Sequence, residues 1–297
     1  MSCHSNGEDS YAVDYFHGRH DAFFLTHVHS DHLSGLHDDW KRGIIYCSEQ
    51  TKKILMKTFR LDRRLVQALD VDCPQSIVLH KSSVTVTFLD ANHCPGSVMI
   101  KIVGDFGSRL HSGDFRFCEH IFGQYISNHL FGIQSVFLDT TFFHPSWSMP
   151  SKPVACELMI DLIDRQPSDS KVYLASDCYG QEDIFIAINR RYGQKIILNV
   201  DHLGISARTR FIWENWLKNV SCLHDVVTKD LDEPSRFYAC ASNGKGIPKS
   251  LRENALNIFA LAKRQEPGIL IRASTLWFGS RDRFDNHERI ERLHKLF

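Results

Sequence analysis

The 297-residue chain carries no excess of either charge, since 35 Lys and Arg balance 35 Asp and Glu. A formal charge of zero provides no whole-chain pull toward nucleic acid or membrane, so a polyanion would have to be held by a local patch or by metal. The nine cysteines are scattered and never spaced as CxxC, which excludes a visible zinc ribbon and suits reduced thiols better than a disulfide framework. No uninterrupted apolar segment approaches the roughly 18 residues that span a bilayer. The first residues, MSCHSNGEDSYAVDYF, have neither the basic start nor the apolar core of a secretory signal. A soluble, intracellular protein with no membrane partner is expected. Internal repeats and low-complexity tracts are also missing.

What is present is an ordinary globular composition, 43% hydrophobic and 11% aromatic, sufficient for packed cores. The length exceeds a usual single core and predicts one large domain or two joined ones. DAFFLT, SVTVTFLD, SVMIKIV and IQSVFLD are rich in β-branched and aromatic residues, are bounded by Gly, Pro, Asn or Asp, and read as short strands. SVMIKIV and SRLHSGD flank GDFG, which reads as a hairpin turn. Helices are expected from about Ser48 to Phe59 and from about Leu61 to Leu69. The proline-rich stretch His144–Pro153 breaks this pattern and sets the expected boundary between a domain at 1–149 and a second at 150–297. Beyond it a helix, KVYLAS, the helical GQEDIFIAINRRYG, KIILNV and the helical ISARTRFIWENWLKN alternate. That order predicts a βαβ-type sheet with helices on its faces.

The stretch Phe23–Leu36, FFLTHVHSDHLSGL, places three histidines and an aspartate within six positions, directly behind an apolar run. Such a cluster at the end of a buried strand is costly unless something pairs with it, and a metal ion is the simplest partner. Just past the strand end, a turning HxHxDH can aim His27 and His29 at one metal and Asp31 and His32 at a neighbour. SVTVTFLDANHCPGS delivers His93 and SRLHSGDFRF delivers Asp114, each where a strand meets a loop. The ligands are therefore expected at one edge of a sheet.

HVHSDH, ANHCPGS and SGDFR together resemble the metallo-β-lactamase fold in the branch that carries a β-CASP insertion. IQSVFLDTTF, DCYGQEDIF and IRASTLWFGSRDRFDN are similar to the DNA cross-link repair nucleases of this branch, the Artemis group most of all. The resemblance runs from about Val13 to about Asn286 and implies an α/β architecture. This is an αββα metallo-β-lactamase sandwich, incomplete at its C-terminal end, with an inserted β-CASP α/β domain. It also implies two Zn2+, one held by His27, His29, His93 and Asp114, the other by Asp31 and His32 with Asp114 bridging. Asp14, in AVDYF, matches an aspartate that supports the metal loop from behind the ligands. Asp139, in FLDTTF, matches an acidic residue near the metals that could orient a ligand histidine. Asp31, Asp114 and Asp139 are the acids expected to carry catalysis.

The activity implied is metal-dependent hydrolysis of DNA phosphodiesters, of endonuclease or 5′-3′ exonuclease type. It would act in the nucleus on damaged, hairpin, overhang or single-stranded ends, in double-strand break end processing by non-homologous end joining or in interstrand cross-link repair. The alternatives are an impaired homologue that binds DNA or partners without cleavage, and an RNA-processing β-CASP nuclease. The first alternative rests on a departure from the family. A further histidine, normally supplied after the STxWF stretch, has no counterpart before Phe297, and His287 and His294 are poor substitutes by context. The family tail that docks repair-complex proteins is not expected either. Tyr238 and Ile197 stand where relatives carry histidines, so no structural zinc is expected in the second domain. Gly180-Gln181-Glu182 replaces the Gly-Lys-Glu of exonucleases that start from a 5′-phosphate, which favours endonuclease-like action.

Other residues invite plainer readings. His37, His111 and His202 read as surface or core histidines, and Cys94 and Cys240 as small packing residues. Lys52, Lys53, Arg63 and Arg64 form one basic cluster, and Arg190, Arg191, Arg281 and Arg283 form others that could meet phosphates. At zero net charge, solvated helix faces explain them as well. Trp277 and Phe278 fit packing better than base stacking. No residue is assigned to nucleic-acid binding.

Overall fold

Short apolar runs buried on both faces build one sheet of the N-terminal half, and longer strands with exposed and buried positions build another. The computed structural model describes residues 11–79, 82–143, 150–175, 179–198, 226–228, 230–240 and 268–272. The chain divides into two compact units, Met1–Phe142 and Phe143–Phe297. In the first, β1 (Tyr11–Val13), β2 (Ala22–Phe24), β3 (Ile44–Ser48) and β4 (Val66–Leu69) form a parallel sheet in that order. β5 (Gln75–Val78), β6 (Ser83–Asp90), β7 (Val98–Gly104) and β8 (Gly107–His111) form an antiparallel second sheet, edged by β9 (Ser135–Phe137), which runs parallel to β8. Gly104 pairs with Gly107 across the turn between β7 and β8, so GDFG closes the expected hairpin.

Every second residue of these strands faces the other sheet. Tyr11, Val13, Phe24, Tyr46 and Leu69 from the first sheet meet Val84, Val86, Phe88, Ile100 and Ile102 from the second in one buried cluster. Phe24 stacks on Tyr46 at 5.4 Å and meets Tyr11 edge-on at 5.9 Å. The outer faces are covered by helices. α1 (Glu49–Thr58) lies against β3 and β4, its first turn capped by the Ser48 hydroxyl, which accepts the Thr51 N–H. α2 (Glu119–Tyr125) buries Phe122 and Tyr125 against Leu89, Met99 and Leu110 of the second sheet. The layers run α, β, β, α, the metallo-β-lactamase sandwich.

Leu61–Leu69 does not form the expected helix. Arg63–Leu65 make one tight 3-10 turn capped by Asp62, and Val66–Leu69 continue as β4. The four-residue spacing of Leu61, Leu65 and Leu69 imitates a helical face, yet a single short segment gains little from helix formation alone. Pairing with the edge of β3 buries Val66 and Leu69 and wins.

The second unit contains α3 (Lys152–Asp164), β10 (Lys171–Ala175), α4 (Glu182–Tyr192), β11 (Ile196–Leu198), β12 (Val227–Thr228), β13 (Phe237–Cys240) and β14 (Gly268–Arg272). Its strands form a parallel sheet in the order β12-β11-β13-β10-β14, the arrangement that strand and helix alternation predicts. α4 ends at Gly193, whose φ of 67° suits a left-handed helix stop. The helix expected in ISARTRFIWENWLKN lies outside the described residues. Among the described residues, no helix is long and apolar enough to cross a membrane.

At the start of α4, the buried Glu182 carboxylate accepts the Gly180 N–H through both oxygens, at 3.1 and 3.0 Å. Burial pushes this carboxyl up from its ordinary 4.5 to about 7. Between those values the folded chain holds a proton that the unfolded chain has released. Stability therefore falls as pH rises through this window and is level above it. Glu182→Gln is expected to match the native chain near about pH 4 and to exceed it by up to about 3 kcal/mol near about pH 8, measured by urea unfolding. In the first unit, Phe24→Ala is expected to cost about 3–5 kcal/mol in the same measurement.

Candidate metal centre

Strand direction decides where the candidate ligands meet. β1 and β2 are parallel, and β6, β8 and β9 share one direction because β7 is antiparallel to β6 and β8 while β9 is parallel to β8. Asp14 follows β1, His27 and His29 follow β2, His93 follows β6 and Asp114 follows β8. Each thus leaves the C-terminal end of a strand. At this end the sheets are joined by the Val98 N–H, which donates to the Thr26 carbonyl at 3.0 Å.

His27, His29, His93 and Asp114 offer ligand atoms that all lie within 4.8 Å of one another, and Asp31, His32 and Asp114 form a second such group. His29 Nδ1 stands 3.0 Å from His27 Nε2 and 3.1 Å from His93 Nε2. Asp114 divides its oxygens between the groups. Oδ2 is 3.6 Å from His93 Nε2 and 3.9 Å from His27 Nε2, whereas Oδ1 is 3.2 Å from His32 Nε2. Asp31 approaches that same His32 nitrogen at 3.6 Å.

Behind these groups lies Asp14, 4% exposed and held at a φ of 52°. Its carboxylate accepts the Thr26 N–H at 2.8 Å and the Thr26 hydroxyl at 2.6 Å, and Oδ2 lies 2.8 Å from His32 Nδ1. A carboxylate accepts, so Asp14 takes the Nδ1 proton of His32 and leaves Nε2 as the nitrogen that faces the ligand groups. That buried nitrogen faces two carboxylates, Asp114 Oδ1 at 3.2 Å and Asp31 at 3.6 Å, without a well-aligned hydrogen bond to either. A cation between them would satisfy all three groups.

The distances fit a cation as well. Two nitrogens bonded to one ion at about 2.0–2.1 Å, about 90–110° apart, stand about 3.0–3.4 Å from each other. The 3.0 and 3.1 Å separations around His29 suit such sharing. Burial, with the neighbouring His32, His29 and His93, drives the His27 pKa well below its ordinary value and keeps the ring in the neutral, ligating form. At His32 burial opposes charge, but Asp114 and Asp14 outweigh it and hold the ring near 10. Burial would raise Asp114, yet His32, His93 and His29 prevail and lower it. This point of the molecule favours positive charge, which a divalent ion supplies more strongly than a proton.

Three residues with no role assigned from sequence hold the loops. Ser97 Oγ accepts the N–H groups of His93 at 3.2 Å and Cys94 at 3.1 Å. Asn92, at a φ of 53°, donates its side-chain amide to the Arg116 carbonyl at 3.1 Å, and the Arg116 N–H donates back to Ala91 at 2.9 Å. Thr26 touches Asp14, His27 and the start of β7. A hydroxyl residue closing an apolar strand just before the first ligand was the available signal.

Asp139 joins neither group. Its N–H donates to Ser112 Oγ at 2.8 Å, but its Oδ1 accepts the N–H and hydroxyl of Thr141 at 2.9 and 2.6 Å, a local turn. His111 is a buried core residue with its ring stacked on Phe137 at 4.3 Å, and His37 is exposed. Lys53 pairs with Glu49 and Arg64 with Asp62, while Arg191 pairs with Asp164, as on solvated faces. Tyr238 stacks on Tyr173 in the sheet of the second unit and pairs with Ile197 of the neighbouring strand. His202, Trp277, Phe278, Arg281, Arg283, His287 and His294, and the Cys240 side chain, lie outside what is described.

Residues 16–174 match the family described as Beta-lactamase superfamily domain. The chain belongs to this superfamily. Its metallo-β-lactamase/β-CASP branch includes relatives of this chain. The DNA cross-link repair protein SNM1 of Arabidopsis thaliana is 31% identical over 73% of this chain and 46% of its own length. Protein artemis of Rattus norvegicus is 29% identical over 89% of this chain and 39% of its own. The chain thus spans less than half the length of either relative. A protein of unknown function from Enterococcus faecalis V583 shares the fold alone, with a TM-score of 0.53 at 14% identity, covering 87% of this chain and 72% of that one.

Within this superfamily site, Gly113 lies flush against Thr26. It adopts a φ of 51°, and a Cβ there would come within 2.8 Å of the Thr26 side chain. Gly113→Ala is expected to lower stability by about 1–3 kcal/mol and to shift the adjacent Asp114. Thermal melting reads the first effect and metal affinity the second.

Proposed function

We propose that the chain is a metal-dependent DNA nuclease of the repair type, acting on strand ends or cross-linked DNA in the nucleus. The observation that carries this reading is Asp114, which turns one oxygen toward the His27, His29 and His93 group and the other toward His32 and Asp31. On this reading His27, His29, His93 and Asp114 hold one zinc, and Asp31, His32 and Asp114 hold a second. Such a pair supplies Lewis acidity to a phosphodiester and a hydroxide at neutral pH. The protein's part is to fix the donors. Asp14 sets the proton on His32 Nδ1, Ser97 and Asn92 hold the His93 turn, and the neutral His27 keeps its lone pair available. Asp31, the most exposed member with 70% of its side chain accessible, faces the side from which a DNA strand would approach. The name of the Arabidopsis thaliana relative, a DNA cross-link repair protein, supports DNA as the substrate class. We assign the second unit, with its parallel sheet, as the β-CASP domain.

The experiment is elemental analysis of zinc on the purified chain, paired with cleavage of labelled hairpin, overhang and single-stranded DNA beside a matched RNA strand. Two zincs per chain and DNA cleavage are expected, with Asp114→Asn losing at least one zinc and reducing cleavage about 100-fold or more. Two zincs without cleavage of any strand would favour a binding protein. Preferential cleavage of RNA would move the reading to an RNA-processing nuclease.

A further inference from the structure

Thr26 is 1% exposed, and its hydroxyl has two partners, Asp14 Oδ2 at 2.6 Å and His27 Nδ1 at 3.0 Å. A hydroxyl has one proton to donate. The Asp14 carboxylate already accepts the Thr26 N–H, and the opposite assignment would set two acceptor oxygens face to face at the shorter distance. The Thr26 proton therefore goes to Asp14, and the contact to His27 is an Nδ1–H that donates to Thr26. The surroundings hold the residue in place: the Thr26 N–H donates to Asp14 Oδ1, its carbonyl accepts the Val98 N–H, and Gly113 packs against the side chain.

We propose that Thr26 is a positioning residue that fixes the proton of His27 on Nδ1 and so presents Nε2 to a metal ion. The inference rests on the metal-site reading above. It makes one buried carboxylate the organiser of two ligand rings, His32 directly and His27 through the threonine hydroxyl. Thr26 acts on His27 through its hydroxyl oxygen and also donates to Asp14, so the His27 tautomer is the readout that separates the two contacts.

The test uses the full chain labelled with 15N-histidine, with the His27 signals assigned through His27→Gln. Long-range 15N–1H spectra of the metal-free protein are expected to record His27 as the Nδ1–H tautomer. Thr26→Val keeps the shape but removes the hydroxyl. It is expected to move His27 toward the Nε2–H form and to weaken cobalt binding about 10–100-fold with an altered visible spectrum. Thr26→Ser is expected to preserve both. A native His27 in the Nε2–H form, or native cobalt affinity in Thr26→Val, would overturn the proposal. If Thr26→Val fails to fold by circular dichroism, the native tautomer and the serine variant decide, and a serine variant in the Nε2–H form overturns it. No cobalt binding by the native chain overturns the proposal together with the metal reading. The expected cobalt pattern without DNA cleavage overturns the nuclease reading alone.

Discussion

An ionised carboxylate taken out of water must have its lone pairs answered, and Asp14 is such a group. Its answers come from the Thr26 amide, the Thr26 hydroxyl and the His32 ring. Satisfying this one charge draws together the end of β1, the end of β2 and the 3-10 turn Ser30–Leu33. The left-handed backbone at Asp14 costs about 1 kcal/mol or more and is tolerated because these three partners over-determine its place. Removing any of them leaves a buried charge short of a donor, so the interior behind the ligands is fixed as a unit.

The sheets serve that arrangement. In the first, parallel strands deliver successive loops to the same end. In the second, β7 acts as the return strand that lets β6 and β8 point the same way. Ligands that are distant in sequence, His27, His93 and Asp114, then meet without any long excursion of the chain. The core between the sheets contains no partner for these polar groups. It holds the strands rigid, and the chemistry stays at their ends.

Much of this was legible. HVHSDH, NHCPGS and SGDFR are contiguous stretches whose spacing survives any uncertainty about strand boundaries, and SVTVTFLD alternates over its first residues as a half-buried strand does. The elements that escaped were those decided by distant partners. β1 is only three residues long and exists because β2 lies beside it. β4 carries a helical spacing that an open edge of β3 overrides. Thr26 and Asn92 are ordinary polar residues in sequence, and only the folded geometry gives them partners 12 and 24 positions away. The Asp139 carboxylate goes to Thr141, a choice made by rotation about its side chain, which sequence does not constrain.

The latch between Asn92 and Arg116, with the return bond from Arg116 to Ala91, is made entirely of protein groups. A cage braced in this way does not have to assemble around its guest. Donors braced at fixed spacing favour ions whose preferred geometry matches that spacing, whereas raw affinity for nitrogen and oxygen donors follows the Irving–Williams order, with copper above zinc and manganese lowest. The bracing therefore bears on which ion such a pocket would accept, and not only on how tightly it would hold one.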